Sequence, residues 1–196
     1  MSYVGIVVTF VLVNNLVLTY FLGLCPMLGA SRRSGAAVGM GLAAMFIMSL
    51  ASLLTWALRV WVLAPLGVEF LQVFVFTLAI ATLGYYVERL VESTLPAVHR
   101  LVGRYLPLIA TNCVVLGIAF VAARADYTAL ESLVAGASAG FGYLLVLVVV
   151  SSIREHLETQ WVPRAFRGVP VAFITTGLIA LAFLAFDRAL LANLVG

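Results

Sequence analysis

The residues of this sequence best suited to carry chemistry are its two cysteines, Cys25 and Cys113. Each of them opens the same short pattern, C-x-x-L-G. Thiolates are common protein ligands of zinc and of iron–sulfur clusters, so the pair is a candidate metal site. The alternative is that both cysteines are small apolar residues that simply pack in a core.

Two thiolates supply only half of the four ligands that zinc and iron–sulfur clusters require. The two histidines, His99 and His156, fall in predicted cytoplasmic loops, away from the cysteines. This position also argues against a haem held by both histidines inside a helix bundle. If a cluster binds to this chain, a second chain must therefore bring two further cysteines.

The residues beside the cysteines predict interrupted helices. Pro26 has no backbone N–H and disfavours helix at the residue before it, so the first helix is expected to break at Cys25. Cys113 follows the polar pair Thr111 and Asn112. Free N–H groups at such breaks can face an anionic group, which makes Pro26, Thr111 and Asn112 candidate neighbours of the site. No motif for nucleophilic or phosphate chemistry is present, and no catalytic residue is assigned.

The composition places the chain in a membrane. Hydrophobic residues make up 64% of the 196 residues and charged residues 10%, whereas soluble domains carry about 25% charged residues. The basic residues are all arginines, and they stand singly or in pairs between apolar runs. This arrangement is typical of membrane flanks and not of a nucleic-acid surface. The lipid bilayer is therefore the expected environment.

Six charge-free stretches predict six transmembrane helices. Each stretch has at least 18 residues, and a helix needs roughly 17 to 25 apolar residues to cross a bilayer. The loops between them are too short for a soluble catalytic domain, so residues 1–196 are expected to form a single membrane domain. The predicted spans are residues 1–31, 34–58, 70–87, 105–123, 132–153 and 168–186.

The arginine distribution predicts the orientation of these spans. Most arginines lie in the loops after the first, third and fifth spans, which places those loops in the cytoplasm and both termini outside. These arginines are Arg32, Arg33, Arg89, Arg100, Arg104, Arg154, Arg164 and Arg167, and those on the other side are Arg59, Arg124 and Arg188.

A second shared pattern indicates an internal repeat. The pattern G-x-x-x-G-x-G follows both cysteines in the same order, at residues 35–41 and 136–142. We therefore expect two copies, about 1–95 and 96–196, each with three spans. An odd number of spans makes the second copy enter from the opposite side, as in the inverted repeats of many transport folds. Under this symmetry the two cysteines could meet only near the midplane.

Two amides, Asn14 and Asn15, lie near the middle of the first predicted span. An unsatisfied amide is costly in an apolar environment. These side chains are therefore expected either to hydrogen-bond across helices or to line an ion path.

Several segments together resemble a known family. They are F-L-G-L-C-P-M-L-G-A-S at 21–31, G-M-G-L-A at 39–43, L-P-L-I-A-T-N-C at 106–113, and F-R-G at 166–168 followed by I-T-T-G-L at 174–178. They resemble the Rnf–Nqr family of small membrane subunits, which includes RnfA, RnfE, NqrD and NqrE. Pro26 favours the RnfA branch, while Ala110 stands where a threonine is usual. The similarity covers nearly the whole chain.

The resemblance implies that Cys25 and Cys113, with two cysteines of an RnfE-like sister subunit, hold a [2Fe-2S] cluster inside the membrane. It implies no flavin or haem on this chain. The expected role is that of a subunit of a redox-driven translocase, an ion-translocating ferredoxin:NAD oxidoreductase complex, which relays electrons and is not catalytic alone. The further expected partners are RnfB, RnfC, RnfD and RnfG, in the bacterial cytoplasmic (inner) membrane with both termini periplasmic.

Two rival interpretations stand beside this one. The first is a small inverted-repeat secondary transporter without a redox cofactor, and the second is a purely structural membrane anchor. Serine substitutions at Cys25 and Cys113 should leave a transporter active, whereas a cluster subunit should lose its cofactor with either change.

Overall fold

A computed structural model of the chain describes residues 3–13, 15–24, 34–94, 112–158 and 168–195, and all regular structure in these ranges is helical. The helices are α1 (Tyr3–Val8), α2 (Leu16–Tyr20), α3 (Ser34–Leu58), α4 (Gln72–Thr94), α5 (Cys113–Arg124), α6 (Ala129–Glu158) and α7 (Val169–Val195). A π-helical turn, Thr9–Val13, extends α1. Another, Arg59–Leu63, and a last α-helical turn, Ala64–Leu66, extend α3, and a 3-10 turn, Glu69–Leu71, leads into α4.

Three helical stretches of the described residues are long and apolar enough to cross a membrane: Ala37–Leu66, Gln72–Thr94 and Ala129–Leu157. The apolar helices Cys113–Arg124 and Val169–Ala185 are shorter. The predicted membrane location is therefore supported, and α3, α4 and α6 correspond to three of the predicted spans. The full set of six stays a prediction.

The first predicted span is interrupted within its length. Asn15 has extended backbone angles, with φ −67° and ψ 110°, and α2 begins after it. Phe21 then ends α2 in the left-handed region at φ 54°. The break predicted at Cys25 lies outside the described residues, but the chain has already left the helix before it. A side chain that can cap a helix, Asn15, marks the interruption more directly than the proline does.

The start of α6 is defined by a capping box. The N–H of Thr128 donates to Glu131 Oε2 at 3.0 Å, and the N–H of Glu131 donates to Thr128 Oγ1 at 3.4 Å. This reciprocal pair satisfies two backbone donors that have no partner inside the helix. At its other end α6 runs past the predicted span, so His156 lies in its last turn. The prediction that this residue lies in a loop was wrong, because a helix can continue through polar residues beyond the bilayer.

The core is built around the crossing of α3 and α6, where small residues let two backbones approach closely. A Cβ added to Gly41 would lie 2.9 Å from the Cβ of Leu144, and one added to Gly136 would lie 2.7 Å from the carbonyl oxygen of Met48. Residue numbers rise along α3 as they fall along α6 in these contacts. The two helices are therefore antiparallel.

Hydroxyl groups inside this crossing find acceptors on helix backbones. Ser52 Oγ donates across the interface to the carbonyl oxygen of Ser132 at 2.8 Å. Thr55 Oγ1 donates within α3 to the carbonyl oxygen of Ala51 at 2.8 Å. Such bonds let polar side chains lie in an apolar core without an unsatisfied donor.

One end of the bundle is joined by an ion pair. Arg59 Nη2 lies 2.6 Å from Asp126 Oδ1, which links the end of α3 to the turn between α5 and α6. The arginine distribution assigned Arg59 and Arg124 to one side of the membrane, and this contact agrees with that grouping. Which side it is stays a prediction.

The close approach of α3 and α6 makes Gly140→Ala a test of the core. The added Cβ would collide with the backbone of Met45, so the helices must separate. We expect a loss of about 1–3 kcal/mol in the free energy of unfolding, as for other overpacked cores. Thermal unfolding of the purified protein in detergent measures it. Gly177→Ala is the matched control, since nothing lies within 4 Å of that position, and equal melting temperatures for both variants would contradict the expected cost.

Candidate functional site

Cys113 is the first residue of α5, and its neighbour Asn112 sets where that helix begins. Asn112 has extended backbone angles, with φ −74° and ψ 129°, and its Oδ1 accepts the N–H of Val114 at 3.2 Å. The side chain thus satisfies a backbone donor that the helix leaves free. The thiol of Cys113 is exposed on the surface of this chain.

The depth of Cys113 follows from α5 itself. This helix ends at Arg124, close to the Arg59–Asp126 ion pair at the end of the bundle. The rise from Arg124 back to Cys113 is about 16 Å, roughly half of the ~30 Å hydrocarbon core. Tyr143, midway along the Ala129–Leu157 stretch, reaches the same region. The two measures agree with the predicted position near the midplane.

A glycine from the first part of the chain contacts the thiol. The N–H of Gly23 donates to Cys113 Sγ, with 3.0 Å between nitrogen and sulfur. A Cβ on Gly23 would lie 3.0 Å from Tyr143 Cε2 and 3.3 Å from Asn112 Oδ1. Gly23 comes two residues before Cys25 in the sequence. The structure therefore brings the chain leading to the first cysteine against the second one.

Three of the predicted site residues, Cys25, Pro26 and Thr111, lie outside the described residues. The predicted meeting of the two sulfur atoms stays a prediction for that reason. The described residues contain no group of three or more His, Cys, Asp or Glu side chains that could hold a metal ion. Cys113 accordingly belongs to an incomplete ligand set in this part of the chain.

Asn112 has a donor that its cap does not use. The residue is 4% exposed, and its Nδ2 is buried without a hydrogen-bond acceptor among the described residues. A buried amide donor without an acceptor costs free energy. An acceptor bound beside Cys113, such as the sulfur of a metal cluster, would relieve this cost.

The chemistry of these groups fits half of an iron–sulfur site. Cys113 offers a thiolate at a helix N-terminus, where negative charge is stabilised, and Gly23 and Asn112 offer N–H donors around it. The exposed thiol also disagrees with the alternative in which Cys113 is only a small packing residue, since such cysteines are among the most buried side chains. A second chain could reach this thiol directly.

Asn15 shows which of its two predicted roles it plays. Its Nδ2 donates to the carbonyl oxygen of Gly142 on α6 at 3.2 Å, and its Oδ1 accepts the N–H of Val17 at 3.1 Å. The expected hydrogen bond across helices is confirmed for this residue, while Asn14 lies outside the described residues. Asn15 and Asn112 therefore cap α2 and α5 in the same way.

Two features of this region were missed in the sequence. The matching asparagine caps were overlooked because the repeat was aligned on C-x-x-L-G, whereas each asparagine is itself followed by apolar residues that begin a helix. Gly23 was recognised only as part of a motif. Its position just before a candidate ligand is the signal that could have identified it, since glycine lets a backbone approach another group closely.

These helices and the exposed thiol define a helical membrane protein with an incomplete thiolate site. The chain matches the family model described as "Rnf-Nqr subunit, membrane protein" over residues 3–190. The chain belongs to this family, and the resemblance seen in its sequence is confirmed.

Curated relatives match almost from end to end. The chain is 43% identical over 187 residues to the RnfA-type subunit of the Na(+)-translocating ferredoxin:NAD(+) oxidoreductase complex of Acetobacterium woodii, covering 95% of this chain and 97% of that protein. It is 46% identical over 185 residues to the corresponding subunit of the ion-translocating oxidoreductase complex of Serratia proteamaculans, covering 94% and 96%. Both relatives are named as subunits of oxidoreductase complexes, and they confirm the RnfA branch that Pro26 favours.

The two hydrogen bonds of Asn15 lead to a stability prediction. Asn15→Ala leaves the N–H of Val17 and the carbonyl oxygen of Gly142 without their partner, so we expect a loss of about 1–3 kcal/mol. Unfolding by added SDS, followed by circular dichroism, measures this loss. Thr77→Ala serves as the control because the Thr77 hydroxyl is exposed and bonds only within its own helix. An Asn15 variant as stable as this control would show that the cross-helix bond contributes nothing.

Proposed function

We propose that this chain is a membrane subunit of an Rnf-type ion-translocating ferredoxin:NAD oxidoreductase complex. In this proposal Cys25 and Cys113 hold half of a [2Fe-2S] cluster that is shared with a sister subunit. The observation that carries it is the exposed Cys113 thiol, which begins a helix near mid-membrane depth and accepts the N–H of Gly23. The names of the relatives support membership of such a complex.

The residues of this chain would bind the cluster and control its surroundings. When bound, such a cluster supplies one-electron transfer. Cys113 offers its thiolate on the outer surface of the chain, at the positive end of the α5 dipole. Behind it, Val114 and Tyr143 are buried and keep water away from the inner side of the site. Asn112 directs an N–H donor toward this low-dielectric region, where hydrogen bonds to sulfur influence the potential.

The proposed partner at this surface is an RnfE-like sister subunit. The segment that leads to Gly23 exposes Tyr20 and Phe21, two aromatic residues of the kind enriched at protein interfaces. A second chain docked here would cover these rings and bring two thiolates to the side of Cys113 that faces away from the core. RnfB, RnfC, RnfD and RnfG are the proposed further subunits of the complex.

The proposed architecture is a six-span inverted repeat in the bacterial inner membrane, with both termini periplasmic. Two observations support it. The antiparallel packing of α3 and α6 is the arrangement that inversion of the two glycine patterns requires. Asn15 and Asn112 also cap a helix in each half of the chain with similar backbone angles.

The interruption at Asn15 is the feature that favours the alternative, a small secondary transporter without a redox cofactor, because such transporters bind substrates at broken helices. The amide of Asn15 is engaged, however. Its Oδ1 accepts the N–H of Val17, and its Nδ2 donates to Gly142 and, at 3.4 Å, to the carbonyl oxygen of Val11. A substrate would have to displace these bonds, so the redox function accounts better for the site.

The decisive test is the iron and acid-labile sulfide content of this chain copurified anaerobically with its sister subunit. We expect a [2Fe-2S] electron paramagnetic resonance signal after reduction in the wild type, and loss of iron and signal in Cys25→Ser and in Cys113→Ser. Ser152→Ala, at an exposed position of α6, is the control that should retain both. Wild-type complex without iron, or a Cys113→Ser complex with an unchanged signal, would overturn the proposal.

The role of Asn112 can be separated from its helix cap. Serine is also a good N-cap residue, so Asn112→Ser should preserve the start of α5 while removing the Nδ2 donor. We expect normal iron content and a more negative reduction potential, because a donor to the sulfur atoms stabilises the reduced, more negative cluster. Potentiometric titration followed by the resonance signal measures the shift. An unchanged potential would exclude Nδ2 as a donor to the cluster.

A further inference from the structure

We infer that Gly23 is a positioning residue whose backbone N–H orients the Cys113 sulfur and raises the reduction potential of the cluster. This inference rests on the proposed function and adds to it a residue that is not a ligand. It starts from the single hydrogen bond in which the Gly23 nitrogen lies 3.0 Å from Cys113 Sγ. The bond joins residues that are 90 positions apart in the sequence.

The backbone at Gly23 is arranged so that its N–H can reach the sulfur. α2 ends at Tyr20, and the left-handed Phe21 turns the chain away from the helix axis. Gly23 itself has φ +84°, which residues with a side chain rarely adopt. Its N–H is thereby released from the helical ladder and is available to Cys113.

The space around Gly23 excludes a side chain. A Cβ would collide with Cγ2 of Val114 and would lie 3.0 Å from Tyr143 Cε2. Val114 and Tyr143 are both buried, so neither can move aside freely. Any larger residue at position 23 must therefore shift the backbone and lengthen the distance from its nitrogen to Cys113 Sγ.

The bond has two consequences for a cluster held by Cys113. A backbone N–H donated to a ligand sulfur offsets negative charge, and it does so more strongly in the reduced cluster than in the oxidised one, which raises the potential. It also limits the rotation of the Cys113 side chain. Because Gly23 lies two residues before Cys25 in the sequence, the same contact ties the approach to one proposed ligand to the other ligand.

The inference is tested first on the unmutated complex, so that folding of a variant is not required. Glycine is labelled with 15N in the complex of this chain and its sister subunit, and the reduced cluster is examined by pulsed electron paramagnetic resonance. We expect a 15N coupling from a glycine nitrogen close to the cluster. In labelled Gly23→Ala complex this coupling should disappear.

The potential supplies the second readout. We expect Gly23→Ala to retain iron and to make reduction of the cluster about tenfold less favourable, which is about 59 mV for a one-electron couple. Gly117→Ala is the matched control. A Cβ there lies 2.8 Å from Leu22 Cδ1, the end of a flexible side chain, and it perturbs the packing of the same two segments without touching the hydrogen bond. This control should keep both the 15N coupling and the wild-type potential.

The outcomes separate the inference from the proposed function. Wild-type complex that contains iron but shows no 15N-glycine coupling would overturn the role of Gly23 and leave the cluster proposal standing. Equal potentials in the Gly23 and Gly117 variants would do the same. Wild-type complex without iron would overturn the proposed function and the inference with it. If Gly23→Ala fails to assemble, the coupling in the wild type decides.

Discussion

Lipid offers no water to a backbone N–H or C=O group, so a helix that begins inside a membrane has to find its own acceptors. Two asparagines meet this demand here. Asn15 caps α2 and Asn112 caps α5, each by accepting the N–H of the residue two positions later. The position of Cys113 depends on this constraint, because the cap at Asn112 makes the cysteine the first residue of a helix at mid-membrane depth.

Close packing of the two long helices holds the capped segments in place. The antiparallel crossing of α3 and α6 leaves Gly142 and Tyr143 facing the first part of the chain. Gly142 accepts the Asn15 amide, and Tyr143 packs beside Gly23. A single helix, α6, thus positions both the interruption near Asn15 and the contact between Gly23 and Cys113. Small residues are needed at these points because a Cβ would push the backbones apart.

The site that results is unfinished within one chain. An exposed thiol and a buried amide donor without an acceptor among the described residues lie side by side at Cys113 and Asn112. Both are unfavourable in an isolated membrane protein, since one exposes a reactive group and the other leaves a polar group unsatisfied. A shared cluster at a subunit interface would resolve both at once. Assembly with a partner and loading of the cofactor would then stabilise one another, because each completes the surroundings of the other.

Local properties of the sequence determined much of this protein. The length and apolarity of charge-free stretches predicted a membrane protein, and α3 covers residues 34–58 as expected. The two cysteines were identified by their chemistry and their neighbours. The tertiary structure alone decided that the first span is interrupted at Asn15, that the Cys113 thiol faces outward, and that Gly23 donates to it. The reason is physical: apolar length is a sum over adjacent residues, whereas a hydrogen bond between positions 90 residues apart exists only once helix packing has fixed the path of both segments.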